Sequence, residues 1–333
     1  MGKFLKEEKK RYCSMIKTTP IFSKEAKRGG VYKGEDRIYC LPRELSAENL
    51  FTGIRNEAIN YFSSFEIKWH DAINRKPSNH LCDSQVCCVN FLYPFMEQPE
   101  ALKDLLKTIF PDIRRVLPMG SETGYITFEW IGLENYLGEK ISRNGIRTRG
   151  ANYTSTDAAV RFERNDGIVQ IVLIEWKYTE SYFSTPLMIA KSGTDRTEIY
   201  APLFLKADCP LDKSLVGDFA NLFYEPFYQL MRQQFLAHEM EKAGELDATK
   251  VSVLHLAPGA NKDFRRVTSP GLKQHGDSAV DVWKKIVIGD DRFISQNIED
   301  FFGALPIENH PVLKSWWDYI TERYTWVVQG GKD

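Results

Sequence analysis

No apolar run in the sequence approaches the ~18 residues that a membrane-spanning helix requires. The opening residues, Met-Gly-Lys-Phe-Leu-Lys-Glu-Glu-Lys-Lys-Arg, hold no apolar stretch of the kind a secretory signal needs. Lys6 stands where a myristoylation signal wants Ser or Thr. No Cys-x-x-Cys pair occurs among Cys13, Cys40, Cys82, Cys87, Cys88 and Cys209, a pattern that fits reduced thiols in the cytoplasm better than a disulfide framework. His80, Cys82 and Cys87 have zinc-ligand chemistry, but Cys87 and Cys88 fall inside an expected helix and read as core. Internal repeats, low-complexity tracts and linkers are also missing. So is an excess of either charge: 44 Lys and Arg against 45 Asp and Glu leave a net charge of −1. Such a chain is no indiscriminate binder of nucleic acid, and any polyanion site in it must gather basic residues locally. What remains is an ordinary globular composition, 43% hydrophobic and 13% aromatic, in 333 residues that suffice for one large or two ordinary domains.

Within this unexceptional background, residues 154–180 stand out. They read as a β-hairpin whose turn is Asn165-Asp166-Gly167. Asp157 and Glu175 are equidistant from Asp166. A three-residue loop 165–167, with Gly167 in the left-handed region, pairs Arg164 with Ile168 and so places Asp157 across from Glu175. Paired residues share a face and strand side chains alternate, so Asp157, Glu175 and Lys177 project to one side and Trp176 to the other. A two-residue loop would move Asp157 to the opposite face. The second strand, from Ile168 to Tyr178, is almost continuously apolar before Glu175, as befits a central strand covered on both faces. Charge at the end of such a strand is costly unless it is paired or metal-bound. Two carboxylates and a lysine placed there can hold a divalent metal and steer a water.

The surrounding periodicities predict helices over 84–93, with Ser84 as N-cap, and over 99–110, with Pro99 at its first position. A Tyr/Ile/Thr/Phe/Trp-rich strand follows at 124–131. Pro226 opens a helix running to about Ala243 with Gly244 as its terminator, and 250–257 reads as a last core strand. The sum is helix–strand–strand–strand–helix–strand. Residues 46–64 predict one amphipathic helix, and 311–326 a helix carrying Trp316, Trp317, Tyr319 and Trp326. The long connection 181–219 predicts short structure beside a cleft.

At Asp157 and Glu175-Trp176-Lys177 the chain resembles the PD-(D/E)xK, or restriction-endonuclease-like, nuclease superfamily. Asp157 matches the first metal-binding carboxylate, and Glu175 with Lys177 the (D/E)xK pair; Thr156 stands where the motif's name has Pro. The resemblance covers roughly residues 84–257. It implies an α/β fold with a central mixed sheet flanked by helices. Around that nuclease core, 1–83 and 258–333 are expected to pack as N- and C-terminal helical extensions. Relatives that carry an iron–sulfur cluster hold it through cysteines near the C-terminus, and this chain has none after Cys209.

Further site residues are expected around this set. Glu129, on the strand beside that of Asp157, offers another carboxylate; Glu134 and Glu139 compete with it but read as surface residues, and Glu122 lies too early in the strand. Gln229 and Gln233 share a helix face at i, i+4 with Arg232 adjacent, and related nucleases often project a Gln from this helix toward the site. The Gln-x-x-x-Tyr signature of some relatives is broken, since Gln233 occupies the Tyr position. Glu180 reads as a polar strand end and His255 as a packed histidine. Arg143, Arg147 and Arg149, in the loop before Asp157, are expected to contact phosphate; Lys262, Arg265, Arg266 and Lys273 form a second basic set.

The resulting expectation is a metal-dependent nuclease that hydrolyses DNA phosphodiesters and, by resemblance, leaves a 5′-phosphate. Asp157, Glu175 and the Trp176 carbonyl would bind Mg²⁺ or Mn²⁺ through oxygen, with Lys177 orienting the water. The resemblance also implies a possible homodimer. Two alternatives stand beside this reading: a catalytically silent nucleic-acid-binding module of the same fold within a larger complex, and an unrelated α/β protein whose hairpin charges are structural.

Overall fold

Asn165, Asp166 and Gly167 do close a three-residue loop. The Arg164 N–H donates to the Ile168 carbonyl at 2.8 Å, the Gly167 N–H returns to the Arg164 carbonyl at 3.0 Å, and Gly167 adopts φ +83°, where a Cβ would be strained. The strands then pair in one unbroken antiparallel register from Glu163↔Val169 out to Ala158↔Ile174. This is seen in a computed structural model, which describes residues 2–71, 75–120, 124–139, 147–150 and 153–328.

In chain order, helix α1 (Lys3–Thr18) leads to a small ribbon of β1 (Gly30–Tyr32) and β2 (Glu35–Arg37). Helices α2 (Arg55–Ser64), α3 (Ser84–Leu92) and α4 (Pro99–Lys107) follow. The main sheet then starts with β3 (Ile113–Leu117), β4 (Ile126–Trp130), β5 (Thr156–Arg164) and β6 (Val169–Trp176). After α5 (Thr197–Leu205), α6 (Lys213–Val216) and α7 (Phe227–Ala243), the chain re-enters the sheet as β7 (Lys250–Ala257). It finishes with α8 (Ala279–Ile286), β8 (Phe293–Asn297), α9 (Ile298–Gly303) and α10 (Lys314–Arg323). The sheet runs β3-β5-β6-β7-β8, with β4 beside β3 on the same edge of β5. Pairing is antiparallel on the β5 side and parallel for β6–β7 and β7–β8, so the sheet is mixed and flanked by helices.

The anticipated element order holds, with differences that have local causes. Asp83, not Ser84, caps α3, its carboxylate accepting from the Val86 N–H at 2.9 Å. The single helix expected over 46–64 is two pieces, a 3₁₀ segment Arg43–Asn49 and then α2. The chain is pulled out of helix between them because Asn90 accepts from the Phe51 N–H and donates to the Asn49 carbonyl. Pro311 likewise starts a separate 3₁₀ turn before α10. The C-terminal flank is not purely helical, since β8 extends the sheet; its sequence Phe-Ile-Ser-Gln-Asn is too polar to announce a strand. Strand β3, Ile-Arg-Arg-Val-Leu, was also illegible, because its two arginines pair with Glu163 of β5 across an exposed edge.

Alternation along the hairpin divides two cores. Ala158, Val160, Phe162, Val172, Ile174 and Trp176 face one layer, built from α1–α4, α9 and α10. Ala159, Ile171 and Leu173 face the other, built from α5, α7 and α8. Apolar residues of both flanks, from Phe4 to Val327, share the first core with the hairpin. Arg323 is the polar brace of that layer. Wholly buried, it donates to the Asn49 carbonyl and the Tyr319 hydroxyl, each at 2.5 Å, and to the Asn49 side chain. Its own carbonyl accepts from Arg11 at 2.7 Å, tying α1 to α10. Arg323→Met, which keeps the stem but strands these acceptors, is expected to lower unfolding stability by on the order of 3 kcal/mol in a denaturant titration.

Candidate active site

One row of the sheet register carries the site. Continued one step beyond Ala158↔Ile174, the register sets Asp157 against Glu175; Glu129 lies between the pairs Phe128↔Ala158 and Trp130↔Thr156, at the level of Asp157. On the other side Glu175 pairs with His255, and His255 with Ser295. Three carboxylates on three adjacent strands thus share one level. The same row ends in a neutral pair, for His255 Nδ1 lies 3.1 Å from the Ser295 hydroxyl and burial, with Lys177 and Arg265 adding to it, pushes the imidazole down to about 3. His255 is a packed histidine.

Glu175 is almost fully buried. Its Oε1 accepts from the Lys177 ammonium at 2.5 Å, while its Oε2 is buried with no hydrogen-bond partner among the described residues. Burial pulls the Lys177 amine down, but attraction to Glu175, then Tyr182 and Asp157, overcomes this and holds it well above the usual lysine range. Asp157 is partly open to a cavity and its Oδ2 accepts from the Trp176 N–H at 2.7 Å. Burial first and the Glu175 carboxylate second keep its carboxyl well above the ordinary aspartate range. On a strand the N–H and C=O of one residue leave on the same edge, so the Trp176 carbonyl is directed toward β5 as well.

Glu129 reaches the cavity by an unusual backbone, φ +51°, rare for a residue with a Cβ. Gln85 donates to one of its oxygens at 2.6 Å and Ser155 to the other at 2.7 Å. Burial, only partly countered by these donors, raises its carboxyl. With both oxygens engaged it supports the pair beside it. Among the described residues no group of three or more His, Cys, Asp or Glu side chains is gathered closely enough to hold a metal ion. Asp157, the second Glu175 oxygen and the Trp176 carbonyl are oxygen donors, the ligand type that a hard divalent cation such as Mg²⁺ or Mn²⁺ would need. An unpaired buried carboxylate oxygen of this kind is what a cation would satisfy.

The cavity, about 660 Å³, is bordered by Glu129, Asp157, Trp176, Lys177 and Gln229. The helix α7 thus brings Gln229 to the site, while the Gln233 amide donates to the Ser155 carbonyl at 2.7 Å, next to the residue that holds Glu129. Gln233→Leu should cost about 1 kcal/mol of stability. By loosening 155–157 it should lower kcat by roughly 10- to 100-fold with little change in KM. Steady-state kinetics beside a thermal melt separates the two effects.

Two of the expected arginines are engaged within the chain. Arg147 donates to the carbonyls of Ile131, Gly132 and Leu133, and Arg149 to those of Phe128 and Glu129 and to Tyr61. Both brace the loop against β4. Arg143 and Glu122 lie outside the described residues. Glu134 is exposed. Glu139, expected at the surface, is instead buried, accepting from the Thr154 N–H and hydroxyl and from the Tyr200 hydroxyl. Glu180 accepts from the Tyr178 N–H and borders the cavity. Cys87 is sealed in α3, and His80 Nδ1 accepts from the Cys82 N–H.

Sequence reading missed Lys9, Lys33, His70 and Asp83, which also border the cavity. His70 Nδ1 lies 2.9 Å from Asp83, whose hydrogen bond raises the imidazole to about 8. These residues lie 70 or more positions before Asp157 and carry no motif that marks them.

A family model described as Restriction Endonuclease associating with ARP matches residues 8–325. No curated protein and no solved structure matches.

Proposed function

Because the chain belongs to the family described as Restriction Endonuclease associating with ARP, a restriction-endonuclease-like group of nucleases and related modules, we propose that it is a metal-dependent nuclease acting on DNA. The observation that carries this reading is the meeting of Asp157, Glu175 and the Lys177 ammonium at one strand end, with a buried Glu175 oxygen that has no partner among the described residues. Asp157, Glu175 and the Trp176 carbonyl would hold the ion. A bound divalent cation offsets charge on the scissile phosphate and acidifies a coordinated water. Lys177, already an ammonium, donates hydrogen bonds to the attacking water and to the phosphoryl oxygens as negative charge gathers on them. The Trp176 N–H fixes the Asp157 carboxylate, and Gln233 through Ser155 holds the strand that carries it. This reading needs no covalent intermediate.

Incubation with circular and linear DNA, with and without Mg²⁺ or Mn²⁺, tests the proposal. Metal-dependent cutting that Asp157→Asn abolishes is the expected result. The family description, with its association with ARP, favours a second reading in which the chain is a subunit that binds nucleic acid without cutting it. Absence of cleavage across DNA and RNA, with retained binding, would select that reading.

A further inference from the structure

A second, smaller cavity of about 300 Å³ adjoins the first. It is lined by Lys3, Lys6, Tyr182, Phe183, Asp263 and Arg266. Ser181 borders both cavities, and α1 spans the junction, with Lys3 and Lys6 in the smaller and Lys9 in the larger. These lysines recur every third residue, winding ~60° around the helix with a rise of ~4.5 Å at each step.

The row is rigidly placed. The Phe4 N–H donates to the Asp263 carboxylate at 2.9 Å. The Tyr178 hydroxyl meets that of Tyr12 at 3.2 Å and donates to Glu8, and the Phe4 ring packs edge-on to Tyr178 at 6.3 Å. Gly2 lies so close to Asp263 and Ser181 that a Cβ would meet them at 2.7 and 2.8 Å. Thus α1 is fastened along 178–183, the chain that leaves Lys177. Arg266 prolongs the positive line at the far end, and Lys33 and His70 prolong it across the larger cavity. Asp263 accepts from an amide in the first turn of α1 and lies 3.8 Å from Arg266, and Lys3 and Lys33 each lie 3.8 Å from an acid, Glu7 and Asp71, while Lys6 and Lys9 keep the line cationic. Beside these cations stands Phe183, 66% exposed. A large bare aromatic ring in a basic groove has the chemistry of a base-stacking platform.

We infer that α1 and residues 181–183 form a track for a single strand of nucleic acid, with phosphates against Lys3, Lys6 and Lys9 and a base on Phe183, leading to Asp157, Glu175 and Lys177. A duplex keeps its base faces stacked inside and has none to offer Phe183. The inference rests on the nuclease reading of the site and gives that site its substrate class.

The test titrates full-length Asp157→Asn protein, in chelator, into a fluorescent oligothymidylate of about 12 nucleotides, within the site sizes of such grooves, and into a duplex of equal length. Anisotropy should show the single strand bound more tightly. Phe183→Ala should weaken that binding by roughly 5- to 150-fold, the range for losing one stacked base. The double variant Lys3→Ala, Lys6→Ala should lower the slope of log affinity against log salt by about 1.4, about 0.7 for each phosphate contact on a single strand. Equal or tighter binding of the duplex, or variants that leave affinity and slope unchanged, would overturn the track. Cleavage by the otherwise native chain is assayed in parallel with Mg²⁺ or Mn²⁺. Cutting retained alongside unaltered strand binding in the variants removes the track alone. No cutting, with single-strand binding that Phe183→Ala weakens, keeps the track and removes the nuclease.

Discussion

Lys177→Ala is expected to lower DNA cleavage by about 10²–10³-fold, the loss typical of removing one donor to developing charge, and to leave metal binding in place. In metal-free protein it should also cost about 3–5 kcal/mol of stability, because it strands the buried Glu175 carboxylate that the ammonium now neutralises. The two effects come apart under one manipulation. A divalent cation can take over the pairing of Glu175, so adding Mg²⁺ or Mn²⁺ should recover most of the lost stability while cleavage stays low. The double variant Lys177→Met, Glu175→Gln should regain stability without metal and remain inactive. Denaturant titrations with and without metal, beside cleavage of linear and circular DNA, read both quantities. Cleavage by Lys177→Ala at the native rate would show that this strand end is not the active site.

Asp157→Asn should abolish both metal binding and cleavage yet stabilise the metal-free protein at neutral pH. Burial and the Glu175 carboxylate raise the folded carboxyl, and Glu129 adds to this, while Lys177 and the Trp176 N–H oppose it. The unfolded residue titrates near about 3.9. Between those two values the folded chain binds the proton more tightly than the unfolded one. That share of stability is therefore complete below the ordinary aspartate range and is lost as pH rises toward the raised value. Asparagine retains an oxygen for the Trp176 N–H and has no proton to lose, so its melting temperature should fall less with pH. A gain of about 0.5–2 kcal/mol is the size expected when a functional charge is removed from a site that strains around it. Melts in chelator from pH 4 to 8 test the sign; a variant less stable than the native chain throughout would show that the Asp157 charge is a net support of the fold.

The hairpin was legible because it states its geometry locally. Asn165-Asp166-Gly167 fixes the loop, the loop fixes the register, and the register places Asp157 with Glu175 without reference to any other part of the chain. Helix α7 was legible for a similar reason, between Pro226 and the left-handed Gly244. Glu129 was found from its strand, but its left-handed backbone was not, since that depends on Gln85 and Ser155, residues from separate elements. Lys9, Lys33 and His70, which border the cavity, were not found. Arg147 and Arg149 look like phosphate ligands in a Gly-containing loop, yet five-donor guanidinium groups also suit the carbonyl ends of a neighbouring strand, and here they serve β4. Lys9 arrives from α1, Lys33 from the β1–β2 ribbon and His70 from the segment between α2 and α3, and only tertiary packing brings them to the cavity.

The three-residue turn has a consequence for how this protein can vary. It lies at the opposite end of β5 from Asp157, about 23 Å away at ~3.3 Å per residue, on an exposed surface of the kind where insertions and deletions usually accumulate without harm. Its side chains are free to drift so long as position 167 tolerates a left-handed backbone. Its length is not: one residue more or fewer, unless absorbed by a bulge, rotates Asp157 into the apolar layer beneath Trp176 while the hairpin still forms. A tip that touches nothing in the cavity is therefore a ruler for it, and a single-codon deletion there would separate a folded lineage from a working one.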